Sequence, residues 1–211
     1  MFVREGESSA GDFYGFDFGP PAAQNGLMDK DAMDALSRTL GVFLPQVEGW
    51  IDHYVDRHAA EARTIASLQF PRLPACFSPA TLQEAKVVRT GKIEKPPLSQ
   101  LGLAGFDAFE RMGISGITYK NVFFINPALA RDESLHFHEL IHVIQWRVAG
   151  VKNFILAYAL GLMEFGYRDS PLEAMAYDLQ ARFDAGETIP NLESFVARKT
   201  QAVIADPTAR L

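Results

Sequence analysis

From Met28 onward the apolar positions fall at helical spacing. MDKDAMDALSRTLG has acidic residues in its first turn and Gly41 behind it, which predicts a helix with a glycine stop. A second helix is expected from about 44 to 68, with Val47, Trp50, Ile51, Tyr54 and Val55 on one face. Pro71, Pro74 and Pro79 then break the chain. AKVVRTGKI (85–93) and GITYKNVFFIN (116–126) are β-branched or alternating and predict two strands, with a short helix at about 106–112 between them. The rest is helical: about 132–149, 152–166, 171–185 and 191–203. Residues 1–26 have no period and are rich in Gly, Ser, Asp and Pro, so a flexible tail is expected ahead of a single domain over 27–211. Its aromatics, Phe13, Tyr14, Phe16 and Phe18, leave open a second reading in which the tail lies in a groove. The fold class expected is α+β, mainly helical, with a small sheet.

Composition narrows the function classes. With 48% hydrophobic and 22% charged residues the chain is ordinary globular material. A net charge of −6 argues against nucleic-acid binding through phosphate neutralisation. Cys76 is the single cysteine, so neither an internal disulfide nor a cysteine-pair zinc site can form. The N-terminal stretch has no apolar run of signal-peptide length, and the most apolar segment, FILAYALGLMEFGY (154–167), is too short to span a bilayer and carries Glu164. A soluble, cytoplasmic protein with no membrane partner is expected; the sequence is silent on oligomeric state.

Candidate chemistry concentrates in HFHELIH, 136–142. His138 and His142 stand four apart, hence one turn above each other on one helix face, where two imidazoles can reach one metal ion. Glu139 between them can meet a metal-bound water. His136 lies about 200° round the helix from His138 and should stay outside the ligand set. A catalytic zinc needs a third protein ligand. The metzincin spacing is excluded, because Gln145 and Val148 stand where that class has glycine and histidine. His53 and His58 are far upstream on different helix faces and read as solvated. A later carboxylate is the alternative: Glu173 is the leading candidate, with Asp169, Glu164 and Asp178 competing. Ser170-Pro171-Leu172-Glu173 also reads as a helix start with a capping box, which explains Glu173 without a metal.

HELIHVIQW followed by YRDSPLEAMAYD resembles the gluzincins, the glutamate-type HExxH metallopeptidases, and in particular compact bacterial zincin-like proteins. The resemblance covers roughly residues 85–185. It implies a zincin-like fold with the sheet beside the HExxH helix. It also implies zinc held by His138, His142 and Glu173, with Glu139 as general base in hydrolysis of a peptide or protein substrate. By resemblance, GITYKNVFFIN would be the sheet edge that pairs with an extended substrate. The family's aspartate four residues past the glutamate ligand, which orients a ligand histidine, is here Tyr177, with Asp178 beside it, so which of the two, if either, supports a histidine stays open. Tyr167 and Tyr158 are candidate oxyanion donors by position, Tyr167 being preferred. The alternatives are a zincin-fold module whose zinc is structural and which does not cleave, and a metal-free helical protein.

Overall fold

Asp132 starts the central helix by accepting the Leu135 N–H at 3.1 Å, and Glu133 in the first turn suits the helix dipole. This helix, α5 (Glu133–Phe165), is buried continuously from Leu135 to Trp146, so its first half forms the centre of the core. The computed structural model describes residues 30–101 and 103–208, so the 1–26 segment lies outside the described residues.

Around α5 the chain runs through α1 (Lys30–Arg57), β1 (Arg63–Thr64), α2 (Leu73–Cys76), α3 (Pro79–Glu84) and β2 (Lys86–Arg89). It continues with α4 (Asp107–Arg111), β3 (Gly116–Tyr119), β4 (Val122–Ile125), α5, α6 (Pro171–Asp184) and α7 (Leu192–Ala205). The class is α+β. The sheet is mixed, in the order β1-β2-β4-β3, with β2 parallel to β4 and the other pairs antiparallel. Strand β4 is buried on both faces: Phe124 packs on Tyr54 of α1 (4.5 Å between centroids) and Phe123 on His136 of α5 (5.4 Å). That double burial explains why its sequence is a continuous apolar run.

Four expectations are corrected. The helices expected on either side of Gly41 are one, α1, which passes through Gly41 and Pro45 and ends at Arg57. Both residues face solvent, while Leu40, Leu44, Val47, Ile51 and Tyr54 form one buried stripe across them. That packing outweighs the roughly 3 kcal/mol a proline costs inside a helix. Beyond Arg57, pairing with β2 takes Arg63 and Thr64 out of helix despite the alanines before them. The run 116–126 is a hairpin, β3 and β4, turning at Lys120 (φ 58°) and Asn121. The strand expected over 85–93 keeps only Lys86–Arg89. The break expected between helices at 132–149 and 152–166 is found inside α5: Gly150, at φ 71° and ψ 163°, is non-helical and kinks the chain there.

One 18-residue window of α5 reaches a mean hydropathy of 1.3, so by length and composition this helix is capable of crossing a membrane, contrary to the expectation from 154–167 alone. In this fold it is the element against which α1, α6, α7 and β3 pack.

His136 is fully buried against Phe70 and Phe123, with Nε2–H donating to the Ala130 carbonyl (3.2 Å) and Nδ1 unpartnered. Burial in this apolar cage lowers its pKa to about 4. Between about pH 6.5 and 4 the unfolded chain therefore binds a proton that the folded chain refuses, so stability falls as the pH drops. His136→Phe should remove about 2 kcal/mol of the stability lost between pH 7 and pH 5. Urea unfolding of wild type and variant at both pH values reads this difference; identical losses in the two proteins would refute it.

Candidate metal centre

The histidine pair rides on the most buried turns of α5, and Glu173 arrives from the first turn of α6. Close helix contact brings them together: Gly161 of α5 meets the start of α6, where a Cβ would stand 2.9 Å from the Pro171 ring. His138 Nε2 and His142 Nε2 are 3.0 Å apart, and the Glu173 oxygens lie 3.4 and 3.5 Å from them. Two ligands about 2 Å from a tetrahedral metal are roughly 3.3 Å apart, so these separations fit one ion. All three residues are at most 5% exposed.

The surrounding hydrogen bonds decide which ring nitrogens carry protons. Gln145 donates its amide N–H to the Leu172 carbonyl (3.0 Å), so its oxygen faces His142 Nδ1 at 2.7 Å and that nitrogen must donate. Ser134 donates to Asp184 (2.9 Å) and accepts from the Gln180 amide (2.9 Å), which turns the Gln180 oxygen to His138 Nδ1 at 3.0 Å. With both protons on Nδ1, both Nε2 lone pairs point at each other and at a carboxylate. Glu173 Oε2, buried, has no hydrogen-bond partner. These three atoms, meeting in a buried space, suit a cation, whether a metal ion or a shared proton. Burial opposes a charge on His142, but the Glu173 carboxylate outweighs burial and raises its pKa to about 9. Burial likewise opposes ionisation of Glu173, and the His142 charge overrides it, keeping that carboxyl well below the ordinary range.

Glu139 lies beside the trio, 3% exposed. Thr118 of β3 donates to Glu139 Oε2 at 2.6 Å. Gly116, also on β3, leaves the space the carboxylate needs: a Cβ there would stand 3.0 Å from Glu139 Cδ and collide with Oε1. Burial raises the Glu139 pKa, partly offset by the two histidines and by Thr118. Tyr158 donates to Glu173 Oε1 at 2.7 Å. Tyr167, half-buried, lines the cleft in front of the centre, where desolvation first and the Glu173 charge second hold its hydroxyl well above its ordinary pKa.

Thus His138, His142 and Glu173 come together with Glu139 beside them, and Tyr167 and Tyr158 stand at the same cleft. Among the described residues Asp169, Glu164 and Asp178 do not join the cluster, and neither do His53 and His58. The capping box is not formed: Ser170 makes no side-chain cap and donates to the Tyr167 carbonyl instead, which leaves Glu173 to the histidines. The supports of the histidines are neither Tyr177 as donor nor Asp178, whose position on α6 faces away from the centre. They are Gln145 and Gln180, with the Tyr177 ring only packing on His138 at 4.7 Å. Gln145, three residues past His142, and Gln180, two turns past Glu173, share faces with the ligands, and that spacing is the signal a sequence offers for them. No family model, curated protein or solved structure matches the chain.

Proposed function

We propose that the chain is a zinc-dependent hydrolase, a peptidase of the gluzincin type on a zincin-like fold, acting in the cytoplasm on peptide or protein substrates. The observation that carries the reading is the convergence of two imidazole Nε2 atoms, each on a ring whose Nδ1 is committed to a glutamine oxygen, with an unpartnered carboxylate oxygen, and a second carboxylate, Glu139, alongside. Histidine nitrogens and a carboxylate suit zinc well. A closed structural zinc site takes four protein ligands, and among the described residues only three converge, which favours a centre open to water.

A zinc ion held by His138, His142 and Glu173 would lower the pKa of a bound water and polarise a carbonyl oxygen. Glu139 is the group that accepts the water's proton and passes it to the leaving amine. Burial makes its conjugate acid less acidic than a surface glutamate's, so it holds the proton between the two transfers. Thr118 fixes one of its oxygens and leaves the other for the proton. Tyr158 orients Glu173 and so spends its own hydrogen on a ligand. Tyr167, neutral at any working pH, is the donor assigned to the developing oxyanion.

The test is metal content followed by hydrolysis of a peptide mixture, read by mass spectrometry. The expected result is one zinc per chain, and cleavage that EDTA abolishes and zinc restores. A fully zinc-loaded chain that cleaves nothing across the mixture overturns the peptidase reading and favours a zinc-binding module.

A further inference from the structure

The centre does not open onto a bare sheet edge. Thr118 is an outward residue of β3, and its carbonyl, where an extended substrate would pair, accepts the Trp146 indole N–H at 3.0 Å. Beyond it lies a pocket closed in by α1, by Pro96, Leu98, Phe106 and Ile114, and by the second half of α5. A cavity of about 100 Å³ lies between Ile51, Leu98, Phe109, Trp146, Ile155 and Leu162, among others. It has room for several waters, hence for a side chain that displaces them. Among the described residues its only charged walls are Glu139, His142 and Glu173, all belonging to the centre itself. A charged side chain there would lose its hydration without gaining a partner, while an aromatic or long aliphatic one would leave water for apolar surface.

Resting on the hydrolase reading, we propose that the substrate is a peptide with a bulky apolar side chain beside the scissile bond. That side chain is inserted end-on into this pocket, and the peptide is not paired as a strand along β3. Ile155 and Ala159, facing the pocket from α5, set its width and polarity.

The experiment uses the full-length, zinc-loaded chain and two hydroxamates, one with a phenylpropyl tail and one with only a methyl group, with affinities measured by calorimetry. Wild type should bind the phenylpropyl compound about 10- to 100-fold more tightly. Ile155→Asp and Ala159→Phe should lose that difference yet keep wild-type affinity for acetohydroxamate, which shows folded, metal-loaded protein. Equal affinity of wild type for the two compounds overturns the pocket assignment and leaves the hydrolase reading standing. Binding of neither overturns the open zinc centre, and the inference with it. In the peptide mixture, cleavage beside Phe, Leu, Met or Trp supports the proposal; cleavage indifferent to that side chain overturns it alone.

Discussion

Glu173→Ala is expected to lose its metal. Removing one of three ligands should lower zinc affinity by more than the roughly 10–100-fold that loss of an outer partner of a ligand costs. Stability should change in parallel. A zinc concentration 100 times Kd adds about 2.7 kcal/mol to the folded state. In a chain of this size that corresponds to a Tm shift of about 5–10 °C. EDTA should therefore lower the Tm of wild type by this amount and leave that of Glu173→Ala unchanged. Alanine also strips the half-buried Tyr158 hydroxyl of its acceptor, which by itself costs up to about 1 kcal/mol. Glu173→Gln separates the two effects, since its amide oxygen still accepts from Tyr158 but is a far poorer ligand. Both variants should bind zinc weakly, and alanine should lower the Tm of the metal-free protein further than glutamine, which loses the charge but keeps the Tyr158 bond. Elemental analysis and differential scanning calorimetry read the two quantities. A Glu173→Ala protein that binds one zinc at wild-type affinity would remove Glu173 from the centre.

Much of this geometry is legible in the sequence because it is local. His138, Glu139 and His142 lie on one helix, and the helical period alone fixes which side chains share a face. Glu173 is harder, since Ser170 and Pro171 make it look like a capping residue. The choice between cap and ligand depends on how closely α6 approaches α5, which is set at Gly161 by a contact that leaves no pattern in either helix. The resemblance leaves open whether Tyr177 or Asp178, four and five residues past Glu173, or neither, supports a histidine. The glutamines that do the supporting stand three residues past His142 and seven past Glu173. Gly116 and Thr118 have no visible place in the sequence: reading 116–126 as one strand hides the hairpin and its outer strand. The Lys120–Asn121 turn lacks the glycine that usually marks such a hairpin. Likewise Pro45 and Gly41 read as a helix break, and only the continuous buried stripe from Leu40 to Tyr54 overrides them.

Glu139→Gln tests the chemistry and not merely the metal. The amide nearly matches the carboxylate in shape, and its oxygen can still accept from Thr118, so folding and zinc content should be unchanged. What it lacks is the capacity to take a proton. General base catalysis is worth about 100- to 10,000-fold, so kcat should fall by that factor with KM nearly constant. Gly116→Ala approaches the same group from outside. Its methyl would occupy the space of the Glu139 carboxylate, so Glu139 must swing away from β3 while His138, His142 and Glu173 stay where they are. This variant should also keep its zinc, and lose rate in proportion to the displacement, by about 100-fold for a shift near 1 Å. Loss of rate in both variants with zinc intact places proton transfer at Glu139. If both hydrolyse at the wild-type rate, another group moves the proton, and the bond from Thr118 serves only to satisfy a buried carboxylate.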